Sequence, residues 1–175
     1  TNALNLIDGL DGLSASISVV ILLIFAYIGY SFSSEIIFKL SLFTIVSLVA
    51  FLFFNWNPAK IFMGDSGSLT LGFIISLLAI MSLKYIHPVT ILYLTALPLL
   101  DTLVVMIRRK RRGKSLFSPD KTHIHHILYK FFGSVKMTVV FLTLMQSMFS
   151  IFGYVAARHI AVYPDGLLPI VMIIG

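Results

Sequence analysis

The chain has no cysteine in its 175 residues. That absence excludes disulfides, thiolate nucleophiles and cysteine-ligated zinc or iron–sulfur sites. Charge is also scarce: only 11% of residues are Asp, Glu, Lys or Arg, against 58% hydrophobic ones. The mean hydropathy of +0.99 has the same meaning. A soluble domain of this composition would expose large apolar patches, so a polytopic helical membrane protein is predicted. Repeats and low-complexity tracts are lacking too. The chain starts at Thr1 with no signal peptide and stops within an apolar run, PIVMIIG. It is therefore expected to be part of a longer protein.

What is present is a series of apolar segments. They run over about 14–30, 36–54, 69–86, 89–107 and 137–157, with a sixth that starts near Ala161 and is cut short. Each full segment approaches the roughly 20 residues that cross a bilayer core as helix. Barrel strands would be shorter and would alternate. The predicted fold is all-α and polytopic, with about five full transmembrane helices and a truncated sixth, forming one domain over 1–175.

The net charge of +6 is concentrated in RRKRRGK, Arg108 to Lys114. By the positive-inside rule this loop is cytoplasmic. Counting crossings back from it puts the 55–65 loop and the chain's beginning on the same side. Asp8, Asp11, Asp65, Asp101, Asp120 and the histidines at 123, 125 and 126 all then fall on or near one face, as a single active site on cytoplasmic loops would require. The segment 108–136 is read as a basic, histidine-containing cytoplasmic loop.

Four stretches could carry chemistry. In NLIDGLDG, Asp8 and Asp11 would share a face if helical, and Gly9 and Gly12 would admit a ligand close to the backbone. Paired carboxylates suit a divalent cation, an amine or a shared proton; acidic capping of a helix explains them equally well. In MGDSGS, Asp65 precedes an apolar helix whose free N–H groups suit phosphate. An acid there reads as a magnesium-bridged phosphate site, or as an ordinary cap with Ser66 and Ser68. Asp101, in PLLDT, is an acid within an apolar run, either functional or paired with Arg108 or Arg109. HIHH, residues 123–126, could bind zinc, hold phosphate or move protons.

NALNLIDGLDGL, NPAKIFMGDSGSLTLGF, and PLLDT followed by RRKRRGKSLFSPDKTHIHHIL together resemble the polyprenyl-phosphate N-acetylhexosamine-1-phosphate transferases of glycosyltransferase family 4. The resemblance runs from Asn2 to about Phe132. The Ser-Pro-Asp-Lys-x-His-Ile-His-His form is similar to the WecA/TagO branch; the related MraY branch has a run beginning Pro-Ile-His-His-His.

The resemblance implies a magnesium-dependent enzyme (manganese would also serve) of the bacterial inner membrane, with its site on the cytoplasmic face. It would transfer a sugar-1-phosphate, with GlcNAc favoured, from UDP-GlcNAc or another UDP-N-acetylhexosamine to polyprenyl phosphate, releasing UMP. Asp65 matches the metal ligand. Asp8, Asp11, His125 and His126 match further catalytic positions. Asn5, Leu10, Asn55, Phe62 and His123 match substrate-binding positions, with Phe62 expected to stack on uracil. Arg108 and Arg109 would help gather the anionic substrates. Direct attack by the lipid phosphate is favoured. The implied partners are the two substrates and the membrane, with no nucleic acid and with room for a homodimer. The alternatives are an MraY-like phospho-MurNAc-pentapeptide transferase and a non-catalytic fragment or binding module of the same fold. The family's pair of adjacent aspartates has no counterpart in this sequence and would precede Thr1.

Overall fold

The computed structural model of the chain describes residues 2–111 and 123–160, with side chains described as far as 156. The described residues form eight α-helices and no strand. A short α1, Asn2–Ile7, leads through a turn into α2, Leu13–Ser31, which returns as α3, Glu35–Asn55. Next come α4, Gly64–Ser82, then α5, Pro88–Leu94, and α6, Ala96–Arg111. The last two are α7, Ile124–Phe132, and α8, Val135–Ile160.

Among the described residues four helices are long and apolar enough to cross a membrane: α2, α3, α4 and α8 over Val135–Ala156. At 19 to 22 residues they span about 28–33 Å, the thickness of a hydrocarbon core. Their surfaces are apolar nearly all round, as lipid-facing helices must be. The chain is a multi-pass membrane protein. The helix α2 lies at its centre, packed against α3, α4 and α8. Ile17, Ile21, Leu22, Phe25 and Ile28 are fully buried there, together with Ser14 and Ser18.

The fourth apolar segment is not one straight helix. It is the pair α5 and α6, bent by 81° at Thr95. Pro98 gives the reason: its ring obstructs the carbonyl four residues back, that of Leu94, and it has no N–H to offer it. The side chain of Gln146, fully buried on α8, takes over both duties. Its Nε2 donates to Leu94 C=O at 2.7 Å and to Ser150 Oγ at 2.9 Å, while its Oε1 accepts the Leu97 N–H at 3.1 Å. Away from water such groups must be paired inside the protein, and one side chain pairs both ends of the break. The third segment begins earlier than hydropathy alone suggests, at Gly64, so Asp65 lies in the first turn of α4. The expected sixth segment lies outside the described residues.

The short α1 packs against α4 and α6. It thereby brings the NLIDGLDG turn beside the start of α4 and the carboxyl-terminal half of the bent pair.

Candidate active site

The helix α1 ends at Ile7, so Asp8 and Asp11 lie in a turn and not on one helical face. Gly12 closes the turn with φ +77°, a left-handed conformation that glycine adopts without a Cβ penalty. Its N–H donates to Asn55 Oδ1 at 3.0 Å, and Asn55 Nδ2 donates to Ile61 C=O at 2.9 Å. The buried Asn55 is thus a strut joining the 8–12 turn to the 56–63 loop. Asp11 adds a second tie: its Oδ2 accepts Asn57 Nδ2 at 2.8 Å and the Ala59 N–H at 3.1 Å. A third comes from α1, where Asn5 Nδ2 donates to Asp65 Oδ1 at 2.9 Å and Ser68 Oγ at 3.0 Å. Ser66 and Ser68 do not cap α4 through their side chains. The helix starts ahead of both, and Ser68 Oγ donates back to the carbonyls of Gly64 and Asp65.

These ties shape an open cleft of ≈ 240 Å³ lined by Asn5, Asp8, Leu10, Asp11, Asn55, Phe62 and Asp65, with Gly9, Met63 and Gly64. Seven residues singled out from sequence therefore share one cavity, although they come from two stretches, 5–11 and 55–65, far apart in the chain. Phe62 is 73% exposed at the rim, so its ring face is available for stacking. Burial, and then the Asp65 carboxylate nearby, raise the Asp8 carboxyl above its ordinary value. A cation in the cleft would relieve that repulsion.

The histidine motif meets the cleft from the other side. His123 precedes α7, and His125 and His126 lie in its first turn. His125 is 1% exposed, and its ring lies directly on Gly9, with Cε1 2.9 Å and Cδ2 3.2 Å from where a Cβ on Gly9 would be. Only glycine leaves room for this apposition. The His125 ring stacks on His123 at 5.6 Å and tilts against His126 at 4.3 Å. Burial, with His126 and His123 adding and Asp101 opposing, lowers the His125 imidazole to about 4. It is neutral at pH 7, and neither ring nitrogen has a hydrogen-bond partner among the described residues.

His123 is held from below. Its Nδ1 lies 2.8 Å from Asp101 Oδ2, and Asp101 Oδ1 accepts the Ile124 N–H at 2.7 Å. The sequence leaves Asp101 open between function and an arginine pair; the structure links it to the histidine motif. Hydropathy marked it as an oddity within an apolar run, but nothing local named its partner. Arg108 and Arg109 close α6 and do not line the cleft; Arg109 is buried on the same face as Asp101 and Val105. The rest of the basic run and the Ser-Pro-Asp-Lys turn, 112–122, lie outside the described residues.

Among the described residues no group of three or more His, Cys, Asp or Glu side chains is arranged to hold a metal ion. A closed zinc site on HIHH therefore finds no support there. Magnesium asks for less. It commonly binds through one or two carboxylates, with water and substrate phosphates completing its shell. Asp65, exposed at the start of α4, and Asp8, destabilised as an anion by burial and then by Asp65, fit that requirement.

Residues 1–83 match the family described as glycosyl transferase family 4. The chain is similar to a probable undecaprenyl-phosphate N-acetylglucosaminyl 1-phosphate transferase of Bacillus subtilis (strain 168), 44% identical over 86% of this chain and 43% of that protein. An undecaprenyl-phosphate alpha-N-acetylglucosaminyl 1-phosphate transferase of Yersinia pestis is 31% identical over 90% of this chain and 45% of its own length. A phospho-N-acetylmuramoyl-pentapeptide-transferase of Clostridium beijerinckii is 34% identical over 89% and 47%. The chain spans a little under half the length of these relatives.

Proposed function

The chain belongs to glycosyl transferase family 4, and from that premise we propose that it carries the nucleotide–phosphate half of a sugar-1-phosphate transferase site. The donor is UDP-GlcNAc and the acceptor is polyprenyl phosphate. The products are polyprenyl-diphosphate-GlcNAc and UMP. The observation that carries this reading is the acidic cleft, with a neutral, buried histidine packed against Gly9 in its lining. The 44% identical relative is named for the GlcNAc reaction, which favours that sugar over a muramoyl-pentapeptide donor. The HIHH spelling points the same way.

Phosphoryl transfer is governed by positioning and charge neutralisation. A phosphate oxygen of the lipid attacks the sugar-bearing phosphorus of the donor. The new P–O bond forms as the bond to UMP breaks, and UMP departs with the electron pair. Phe62 offers an exposed ring to the uracil, and Leu10 lines the cleft with it. The ties through Asn5, Asn55 and Asp11 hold the two loops at a fixed separation, so that donor binding does not have to order them. The neutral His125 ring, its nitrogens buried against Gly9 and without a partner among the described residues, has one N–H to give a phosphate oxygen, with His126 and His123 beside it. Asp65, with Asp8 in reach, would hold Mg²⁺ or Mn²⁺. When bound, that cation would offset the charge of the diphosphate and let it enter an acidic cleft. Arg108 and Arg109 add positive charge at the end of α6. By the charge rule the site faces the cytoplasm, in the bacterial cytoplasmic membrane.

The test is exchange of labelled UMP into UDP-GlcNAc in membranes that contain the natural full-length protein and its lipid product. Magnesium-dependent exchange that Asp65→Asn abolishes, with the variant still inserted and folded, is the expected result. Exchange unaffected by Asp65→Asn would remove that residue as the metal ligand. No exchange from well-inserted protein would overturn the donor assignment.

A further inference from the structure

We infer that Asp101 positions the histidine motif: one buried carboxylate orients His123 and fastens the start of α7, and so holds the His125 ring against Gly9 in the lining of the acidic cleft. This rests on the transferase reading of the cleft, and it adds to it a residue remote from the cleft that governs its chemistry.

Three observations carry the inference. First, both oxygens of Asp101 are committed to the motif. Oδ2 takes His123 Nδ1 at 2.8 Å and Oδ1 takes the Ile124 N–H at 2.7 Å. The second bond matters because Ile124 is the first residue of α7, where N–H groups have no partner within the helix, and His123 makes no side-chain cap of its own. Asp101 does the capping from another helix. Second, the pair is dry: Asp101 is 4% exposed and His123 6%. A carboxylate so placed is retained at a desolvation cost, and its geometry is fixed by packing. Third, the fastening has a reader. His125 follows Ile124, and its ring fits against a glycine with no space to spare. A small rotation of α7 would lift that ring off Gly9. The link also spans 22 residues of sequence, so it brings the start of α7 back to α6.

The chemistry sets a preference between variants. A carboxylate facing Nδ1 accepts a hydrogen bond, so Nδ1 of His123 carries the N–H and Nε2 is left for other partners. Asp101→Asn keeps the size and can still accept from Ile124. It then turns an NH₂ group toward Nδ1, which opposes the N–H there and drives the other tautomer or breaks the bond. Asp101→Leu removes both bonds.

Two readouts on the full-length protein test this. In the exchange assay, Asp101→Asn should lower turnover by about 10–100-fold, the usual cost of removing a group that orients a functional histidine, with KM for the UDP-sugar changed far less. Combined with His123→Ala, it should add little to the loss that His123→Ala causes alone, because it acts through that ring. Independent multiplication of the two losses would overturn the inference. The second readout needs no activity: diethylpyrocarbonate modification of His125, followed by peptide mass spectrometry. Asp101→Leu should raise that rate severalfold relative to wild type, with Asp101→Asn between them. An unchanged His125 rate in folded Asp101→Leu would overturn the inference even if exchange fell. A wild type without exchange, but with His125 unmasked by Asp101→Leu, would defeat the transferase reading and support the positioning role.

Discussion

Acid should loosen this fold through one imidazole. His125 is 1% exposed and its pKa is held down to about 4. In the unfolded chain the same ring takes up a proton near its ordinary 6.5. Between those two values the unfolded state binds more protons than the folded one. Stability contributed by this residue is therefore intact above about pH 6.5 and falls as pH drops toward about 4. At the bottom of the window the loss is about 3 kcal/mol, and near pH 5 it is roughly 2 kcal/mol. Asp8 pulls the opposite way. Its raised carboxyl is penalised as an anion in the fold, so acidification relieves it as the pH falls through the raised value. The whole-protein curve mixes these effects, and the informative quantity is a double difference. The apparent unfolding temperature of the protein in lipid nanodiscs is measured near pH 7.5 and near pH 5, for wild type and for His125→Leu. Wild type should lose roughly 4–8 °C more than the variant on acidification. Equal losses would refute the argument, because the acid sensitivity would then arise elsewhere.

Other substitutions probe the ties around the cleft. Gly9→Ala would drive a methyl group into the His125 ring, at a cost of about 1–3 kcal/mol; turnover should fall and His125 should become reactive, whereas normal turnover and stability would deny the apposition. Asn55→Leu strips the Gly12 N–H and Ile61 C=O of their partner. The buried N–H alone should cost about 1–3 kcal/mol, and KM for the UDP-sugar should rise more than turnover falls; a donor titration that overlays wild type would rule out the strut. Gln146→Leu orphans both groups at the α5–α6 break, a cost of about 2–6 kcal/mol from two unpaired backbone groups. Gln146→Glu, which keeps the acceptor for Leu97, should be milder, and thermal curves for Gln146→Leu that match wild type would show that the break finds other partners.

Much of this architecture is legible from composition. Length and apolarity locate α2, α3, α4 and α8 because a lipid-facing helix is specified by little else. The cleft is legible as well: Asp8, Asp11 and Asp65 stand out as glycine-flanked acids, the family resemblance adds Asn5, Leu10, Asn55 and Phe62, and all seven converge. What sequence hid was partnership. The segment over 89–107 reads as one helix, and the side chain that serves the break in it lies 52 residues beyond Leu94. Asp101 is conspicuous, but its choice of His123 over an arginine depends on how α7 returns to α6. The spacing of Asp8 and Asp11 suggests a shared helical face, and the early end of α1 removes it. In each case the deciding contact is tertiary, and no local pattern encodes it.

The Gln146 clamp has a consequence for biosynthesis. The bend is translated before its clamp, since α5 and α6 leave the ribosome ahead of α8. Until α8 enters the bilayer, the Leu94 carbonyl and the Leu97 N–H must be served by water or by a transient neighbour. The direction of α6, and with it the place where Asp101 meets His123, is then not yet set. The cleft's final geometry is thus acquired late, once α8 is in place, and nascent chains arrested before Gln146 would be inserted but immature.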